Sequence, residues 1–88
     1  MINVALLGFG RIGQMHAQNI YLNKTLNLLY VYEKIDKLRK KAKSLYNCKI
    51  EKDYKKIFSD EKVDIIFISS PTNTHIRFIE EGIKYNKT

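Results

Sequence analysis

Three glycines near the amino terminus constrain the fold of this chain more than any other feature. They form a G-x-G-x-x-G pattern directly after the apolar run from Ile2 to Leu7. The pattern occupies six consecutive positions: Gly8, Phe9, Gly10, Arg11, Ile12 and Gly13. Gly8 permits a tight turn, Gly10 lets the backbone approach a pyrophosphate, and Gly13 lets a helix pack closely on the preceding strand. Because the helix N-terminus also offers unpaired N–H groups to phosphates, all six residues are predicted to bind a dinucleotide.

An acidic residue at the end of the second predicted strand supports this interpretation. Glu33 follows Val31 and Tyr32 and lies 20 residues after Gly13, at the spacing expected for ribose recognition. A carboxylate there accepts hydrogen bonds from the adenosine ribose and repels a 2′-phosphate, so NAD is predicted as the cofactor. The neighbouring Lys34 keeps NADP open, and Glu33 as a simple turn cap is the alternative.

Apolar patterns alternate between strand and helix along the whole chain. Strands are predicted over 2–7, 26–32, 48–51 and 63–69, with helices over 11–22, 35–45 and 54–58 and a last helix that begins at Thr74. Asn47 is predicted to end the second helix, and Asp53 to cap the third. This alternation predicts an α/β fold of the Rossmann type, a doubly wound parallel sheet with strand order 3-2-1-4. Residues 1–88 form the amino-terminal part of one such domain.

The apolar positions of the helices predict the faces that pack on the sheet. In the first helix Ile12, Met15, Asn19 and Ile20 recur near helical spacing, with His16 as a structural neighbour. The apolar positions are Ile35, Leu38, Ala42 and Leu45 in the second helix and Ile76, Ile79 and Ile83 in the last.

The net charge of +7 raises nucleic acid as a partner. Its distribution argues against one, because the basic residues of the second helix predict a solvated face and no aromatic side chains are interleaved with them. That face comprises Lys37, Arg39, Lys40, Lys41 and Lys43. No apolar run is long enough to span a membrane. The single cysteine, Cys48, indicates a reducing cytoplasmic setting and a packing role, and no metal site is predicted.

Two families share the Phe9 to Gly13 segment: glyceraldehyde-3-phosphate dehydrogenase and the Gfo/Idh/MocA oxidoreductases. The segment from Val63 to His75 resembles the second signature of the Gfo/Idh/MocA family, in which a strand ends in a Ser/Thr-Pro-Thr/Asn-x-x-His loop. The Met15-His16 pair also suits that family, which includes inositol 2-dehydrogenase. The resemblance places five more residues in the cofactor crevice: Ser70, Pro71, Thr72, Asn73 and His75.

The resemblance implies an NAD(P)-dependent oxidoreductase that moves a hydride between nicotinamide and a sugar or cyclitol carbon. Its catalytic lysine belongs to a Glu-Lys-Pro motif that these 88 residues lack, and its substrate domain is absent as well. No catalytic residue is therefore assigned, and the 88 residues alone are expected to be inactive. A non-catalytic NAD(H)-sensing module, a different dehydrogenase or a methyltransferase-like fold are the alternatives. The apolar fourth strand, exposed at the sheet edge, predicts self-association.

Overall fold

A computed structural model of the chain describes residues 1–69 and 75–88. The elements follow in strict alternation: β1 (Ile2–Leu7), α1 (Arg11–Leu22), β2 (Leu26–Tyr32), α2 (Asp36–Tyr46), β3 (Lys49–Glu51), α3 (Tyr54–Phe58), β4 (Ile65–Ile68) and α4 (His75–Lys84). Within the described ranges, none of the helices has the length and apolar character needed to cross a bilayer.

The four strands form one parallel sheet in the order β3-β2-β1-β4, which confirms the predicted topology. In the register of the sheet, Leu7 lies beside Tyr32 of β2 on one side and beside Ile68 of β4 on the other. The three strands therefore end at the same level. The residues that follow them, Gly8, Glu33 and Ser69, are brought together at the carboxyl edge of the sheet, where nucleotide-binding sheets hold their ligands.

The core has two layers, one on each face of the sheet. Val4, Leu6 and Val31 point to the face covered by α1 and α2. Ala5 and Leu7 point to the opposite face, which α3 and α4 cover with aromatic side chains. β1 contributes to both layers and is buried from Val4 onward, as predicted for a central parallel strand.

The predicted ends of the helices agree with the structure where the signals were local. Asn47 follows α2 in the left-handed conformation, with φ of 51°. Asp53 caps α3 by accepting a hydrogen bond from the backbone N–H of Lys55 at 3.0 Å. The predicted cap of the last helix, Thr74, lies outside the described residues, as does the side chain of Ile76.

The predicted packing face of α1 was wrong at three positions, because Ile12, Met15 and Asn19 are all exposed. Ile12 and Met15 are 61% and 62% exposed, whereas Gly13, Ala17 and Ile20 are buried. The reason is the close approach of α1 to the glycine turn, which only very small side chains allow. Small residues therefore replace large ones at this helix–sheet contact.

Similar corrections apply to α2 and α4. In α4, Phe78 is the buried side chain, and Ile79 and Ile83 are 55% and 77% exposed. In α2, Ala42 is buried as predicted and Leu38 packs at the margin of the core, but Ile35 and Leu45 are more than half exposed.

Candidate dinucleotide site

The glycine turn depends on backbone geometry that side chains would obstruct. Gly8 has φ of 109°, a conformation that other residues rarely adopt, and its N–H donates to the carbonyl oxygen of Tyr32 at 2.8 Å. At Gly13 a Cβ would meet the carbonyl oxygen of Gly8 and would lie 2.9 Å from the hydroxyl oxygen of Ser69. The predicted roles of these two glycines, the tight turn and the close packing, therefore have a direct geometric basis.

Gly10 serves a different purpose, because the space beside it is open. It precedes α1 in an extended conformation with φ of −72°, and a Cβ placed there would have no heavy atom of the described residues within 4 Å. Among the residues that the structure describes, no side chain caps α1, and the first turn of α1 carries no acidic residue. The first N–H groups of α1 are thus directed toward a surface where an anionic group can approach the backbone.

Glu33 is bonded directly to the glycine turn. One carboxylate oxygen, Oε1, accepts a hydrogen bond from the N–H of Phe9 at 2.9 Å, and Oε2 accepts one from the N–H of Ile35 at 3.1 Å. A carboxylate oxygen has two lone-pair directions, so each oxygen can accept one further hydrogen bond. This arrangement fits the two hydroxyl groups of a ribose.

The remaining residues of the glycine pattern differ in what they present. The side chain of Phe9 is fully buried and meets Tyr46 edge to face, with ring centroids 6.4 Å apart, so only its backbone lies in the turn. Arg11 and Ile12 are exposed in the first turn of α1. The site therefore uses the backbone of Phe9 and leaves the side chains of Arg11 and Ile12 at its surface.

Ser69 joins β4 to the glycine turn, a contact that the sequence analysis did not predict. Its hydroxyl donates to the carbonyl oxygen of Gly8 at 2.9 Å, and its N–H donates to the carbonyl oxygen of Leu7 at the same distance. The available signal was a hydroxyl residue directly after a buried strand. That signal is weak until the neighbouring strand is known.

The predicted solvated face of α2 was wrong for Arg39. The side chain of Arg39 is only 13% exposed, and its guanidinium donates to the carbonyl oxygens of Glu33 and Lys34 and pairs with Asp36. Lys41 donates to Gln14 Oε1 at 2.9 Å and so contacts α1. Lys37, Lys40, Lys41 and Lys43 are exposed, as predicted.

Comparison with known proteins identifies the family. A sequence model of the Gfo/Idh/MocA oxidoreductases, described as an oxidoreductase family with an NAD-binding Rossmann fold, matches residues 2–88. This chain belongs to the Gfo/Idh/MocA family. Its nucleotide is accordingly a nicotinamide dinucleotide.

Relatives within the Gfo/Idh/MocA family include inositol dehydrogenases. The chain is 31% identical over 88 residues to myo-inositol 2-dehydrogenase of Thermotoga maritima, with 98% of the chain and 26% of that protein covered. It superposes with a TM-score of 0.94 on a putative myo-inositol dehydrogenase of Sinorhizobium meliloti, at 27% identity, over all of this chain and 26% of that one. The TM-score is 0.92 at 25% identity for scyllo-inositol dehydrogenase of Lactobacillus casei with bound NAD(H) and scyllo-inositol, over 99% and 26% of the two chains. The chain thus spans about a quarter of the length of these relatives.

The second predicted signature of the family falls mostly on residues that the structure leaves undescribed. Ser70, Pro71, Thr72 and Asn73 lie outside the described residues, so their cofactor role stays a prediction. His75 is the first residue of α4 and is partly buried, and its predicted place in the crevice also stays a prediction.

His16 and Cys48 have the structural environments that the sequence predicted. The ring of His16 lies 4.6 Å from that of Phe67, which joins α1 to β4. Cys48 is buried, with its Sγ 3.9 Å from the carbonyl oxygen of Ala42, and burial raises the pKa of its thiol. Both residues therefore have packing roles, as the sequence predicted.

Proposed function

We propose that this chain is the nucleotide-binding part of an oxidoreductase that transfers a hydride between a nicotinamide dinucleotide and a hydroxyl-bearing carbon of a sugar or cyclitol. The names of the inositol dehydrogenase relatives support the substrate class. The observation that carries the nucleotide role is the hydrogen bond from the Phe9 N–H to Glu33. It holds a ribose acceptor next to a pyrophosphate-binding turn, while the hydride chemistry belongs to the cofactor.

The site favours NAD over NADP in this proposal. A 2′-phosphate would lie against the Glu33 carboxylate, and like charges in contact are repulsive. Arg39 would compensate this repulsion only in part, because its guanidinium is already bonded to two carbonyl oxygens and to Asp36. Lys34 is exposed beside Glu33 and is the cation through which NADP would still bind weakly.

Calorimetric titration with NAD, NADH, NADP and ADP-ribose tests the proposal, with Gly10→Val as the variant. The open space and ordinary φ at Gly10 allow a side chain without disturbing the fold, but valine would occupy the approach to the backbone. We expect NAD and ADP-ribose to bind, NADP to bind more weakly, and the variant to lose all binding. A folded wild-type chain that binds none of these nucleotides would overturn the proposal.

A non-catalytic NAD(H)-sensing module is the second candidate. The features that support nucleotide binding, the open glycine turn and the Glu33 carboxylate, would serve a sensor as well as an enzyme. We propose that the 88 residues bind the nucleotide without turnover. Reduction of NAD by the whole gene product with a panel of polyols supports the enzyme, and nucleotide binding without turnover over that panel supports the sensor.

We further propose that the 88-residue chain self-associates at the β4 edge. β4 pairs with β1 on one side, and on the other side the Ile66 N–H donates to the carbonyl oxygen of Thr88 at 2.6 Å. A groove of about 240 Å³ lies between β4 and α4, and Ile83 lines it while 77% exposed. Ile83→Lys should lower the dimer fraction in sedimentation measurements, whereas Leu22→Lys, at the end of α1, should not. A wild-type chain that stays monomeric at high concentration would contradict this proposal.

A further inference from the structure

We propose that Arg39 is a positioning residue for nucleotide selection: it fixes the turn between β2 and α2 and thereby holds the Glu33 carboxylate where it can select a ribose. The inference rests on the proposed function, because it assigns Glu33 to the ribose of the bound nucleotide. Arg39 itself does not contact the nucleotide in this assignment. It acts through the backbone of the turn.

The guanidinium of Arg39 joins three acceptors from one turn. Nη1 donates to the carbonyl oxygen of Glu33 at 2.6 Å and to that of Lys34 at 2.9 Å, and Nη2 pairs with Asp36 at 3.0 Å. The side chain is 13% exposed, in contrast to the 75% of the adjacent Lys40. A planar guanidinium with several fixed donors can satisfy such a set, and a lysine ammonium on its flexible stem cannot reproduce that geometry.

The turn has few other restraints of its own. Ile35 occupies the N-cap position of α2 and supplies no capping side chain. The N–H of Glu33 still pairs with the carbonyl oxygen of Glu51 in β3, but the next two carbonyl groups leave the sheet and bond to Arg39. Without the arginine, these peptide groups would rotate toward water, because a carbonyl group must find another partner.

Such a rotation would reach the carboxylate directly. Oε2 of Glu33 accepts its hydrogen bond from the N–H of Ile35. This N–H belongs to the same peptide group as the Lys34 carbonyl oxygen that Arg39 binds. If this N–H turns away, the carboxylate keeps only its bond from Phe9 and can pivot about it. The glycine turn would remain intact, since Ser69 and β1 hold it independently of α2.

The test compares the affinities of ADP and 2′,3′-dideoxy-ADP, which differ only in the ribose hydroxyl groups. Hydrogen bonds to an ionised carboxylate should give the wild-type chain a preference for ADP of roughly tenfold or more. We expect Arg39→Met, which keeps the aliphatic stem, to lower that preference at least about threefold, while the affinity for dideoxy-ADP stays within about twofold. If Arg39 only stabilised the fold, Arg39→Met would lower the affinities for both nucleotides by similar factors.

Lys40→Met is the matched control. Lys40 also pairs with Asp36, at 3.1 Å, and the variant removes the same unit of charge from the same helix without touching the Glu33 and Lys34 carbonyl groups. We expect it to keep the wild-type preference. An equal loss of preference in both variants would overturn the inference, because it would assign the effect to charge or to Asp36.

The remaining outcomes separate the inference from the proposed function. A wild-type chain that binds ADP and dideoxy-ADP equally would overturn ribose recognition by Glu33. A wild-type preference that Arg39→Met leaves unchanged would overturn only the role of Arg39. If Arg39→Met does not fold, Arg39→Lys decides: a reduced preference supports the inference, and a full wild-type preference overturns it.

Discussion

Replacing Gly13 with alanine tests how closely α1 packs on the glycine turn. The new Cβ would meet the carbonyl oxygen of Gly8 and would lie 2.9 Å from both the Gly8 carbonyl carbon and Ser69 Oγ. Two of these atoms are backbone atoms at the end of the central strand, and Ser69 is itself bonded to Gly8. The contact cannot be relieved by moving the end of a flexible side chain, so α1 or the turn must shift.

The change in the free energy of unfolding has three contributions, one stabilising and two destabilising. Alanine is favoured over glycine inside a helix by about 1 kcal/mol. Overpacking a close contact costs about 1–3 kcal/mol, and loss of the Ser69 to Gly8 hydrogen bond costs about 1 kcal/mol more. The free energy of unfolding should therefore fall by about 1–3 kcal/mol. For a domain of this size, a loss of 2 kcal/mol lowers Tm by roughly 8–16 °C.

Urea unfolding followed by circular dichroism measures this loss, with Gly10→Ala as the control. The space around Gly10 is open, and its φ of −72° suits any residue. There the weaker N-cap preference of alanine and its lower chain entropy in the unfolded state nearly cancel, so we expect a change within about 0.5 kcal/mol. Equal stability of the Gly13 and Gly10 variants would refute the argument from close packing.

Three further measurements address other parts of the chain. Burial, together with a hydrogen bond to Asp60 at 2.7 Å, raises the pKa of Tyr30 from 10.0 to about 12. The neutral phenol therefore stabilises the fold fully below pH 10, and this contribution is lost as the pH rises toward about 12. Tyr30→Phe should flatten the alkaline fall in the urea midpoint, and an unchanged profile would contradict the assignment. Asp53→Ala should cost about 1 kcal/mol in the same unfolding assay because α3 loses its cap, whereas Lys52→Ala should change stability by less than about 0.5 kcal/mol. Iodoacetamide should label Cys48 slowly in the native chain and rapidly in urea, because burial raises the thiol pKa and blocks access; rapid native labelling detected by mass spectrometry would contradict that environment.

The sheet was predictable because its signals are local and mutually consistent. The apolar run before Gly8 has the composition of a strand buried on both faces. Asn47 marks the end of α2 by its left-handed backbone, and Asp53 marks the start of α3 by its side-chain cap. Strand limits were less accurate. The fourth strand begins at Ile65, because Asp64 instead accepts a hydrogen bond from the N–H of Asn3 and closes the entry to the strand.

Helix faces were harder to predict because a large apolar residue at the border of a stripe does not reveal its own exposure. In α1 the small residues Gly13 and Ala17 determine which face meets the sheet, and Ile12 and Met15 are displaced to the surface. In α4 the spacing of the isoleucines predicted that they would pack on the sheet. The aromatic layer of Tyr54 and Phe58 instead receives Phe78, with ring centroids 5.2 Å and 6.4 Å away.

The glycine pattern and Glu33 of the candidate site were predictable from the sequence, whereas the residues that hold them in place were not. The spacing between the glycine pattern and Glu33 is the one expected for dinucleotide binding, and in the structure the two lie side by side as that spacing predicts. Arg39 was indistinguishable in sequence from the lysines around it. Only the course of the β2–α2 turn brings two carbonyl oxygens within reach of its guanidinium.

The glycine turn is held from both sides by residues distant in sequence. Glu33 bonds to Phe9 across 24 residues, and Ser69 bonds to Gly8 across 61 residues. Neither bond can form before β2 and β4 have aligned on β1, so the geometry of the glycine turn belongs to the assembled sheet rather than to the glycine pattern alone. This explains in physical terms why a G-x-G-x-x-G segment is a weak indicator by itself. It becomes specific when a buried strand precedes it and the neighbouring strands end in a carboxylate and a hydroxyl at the same level.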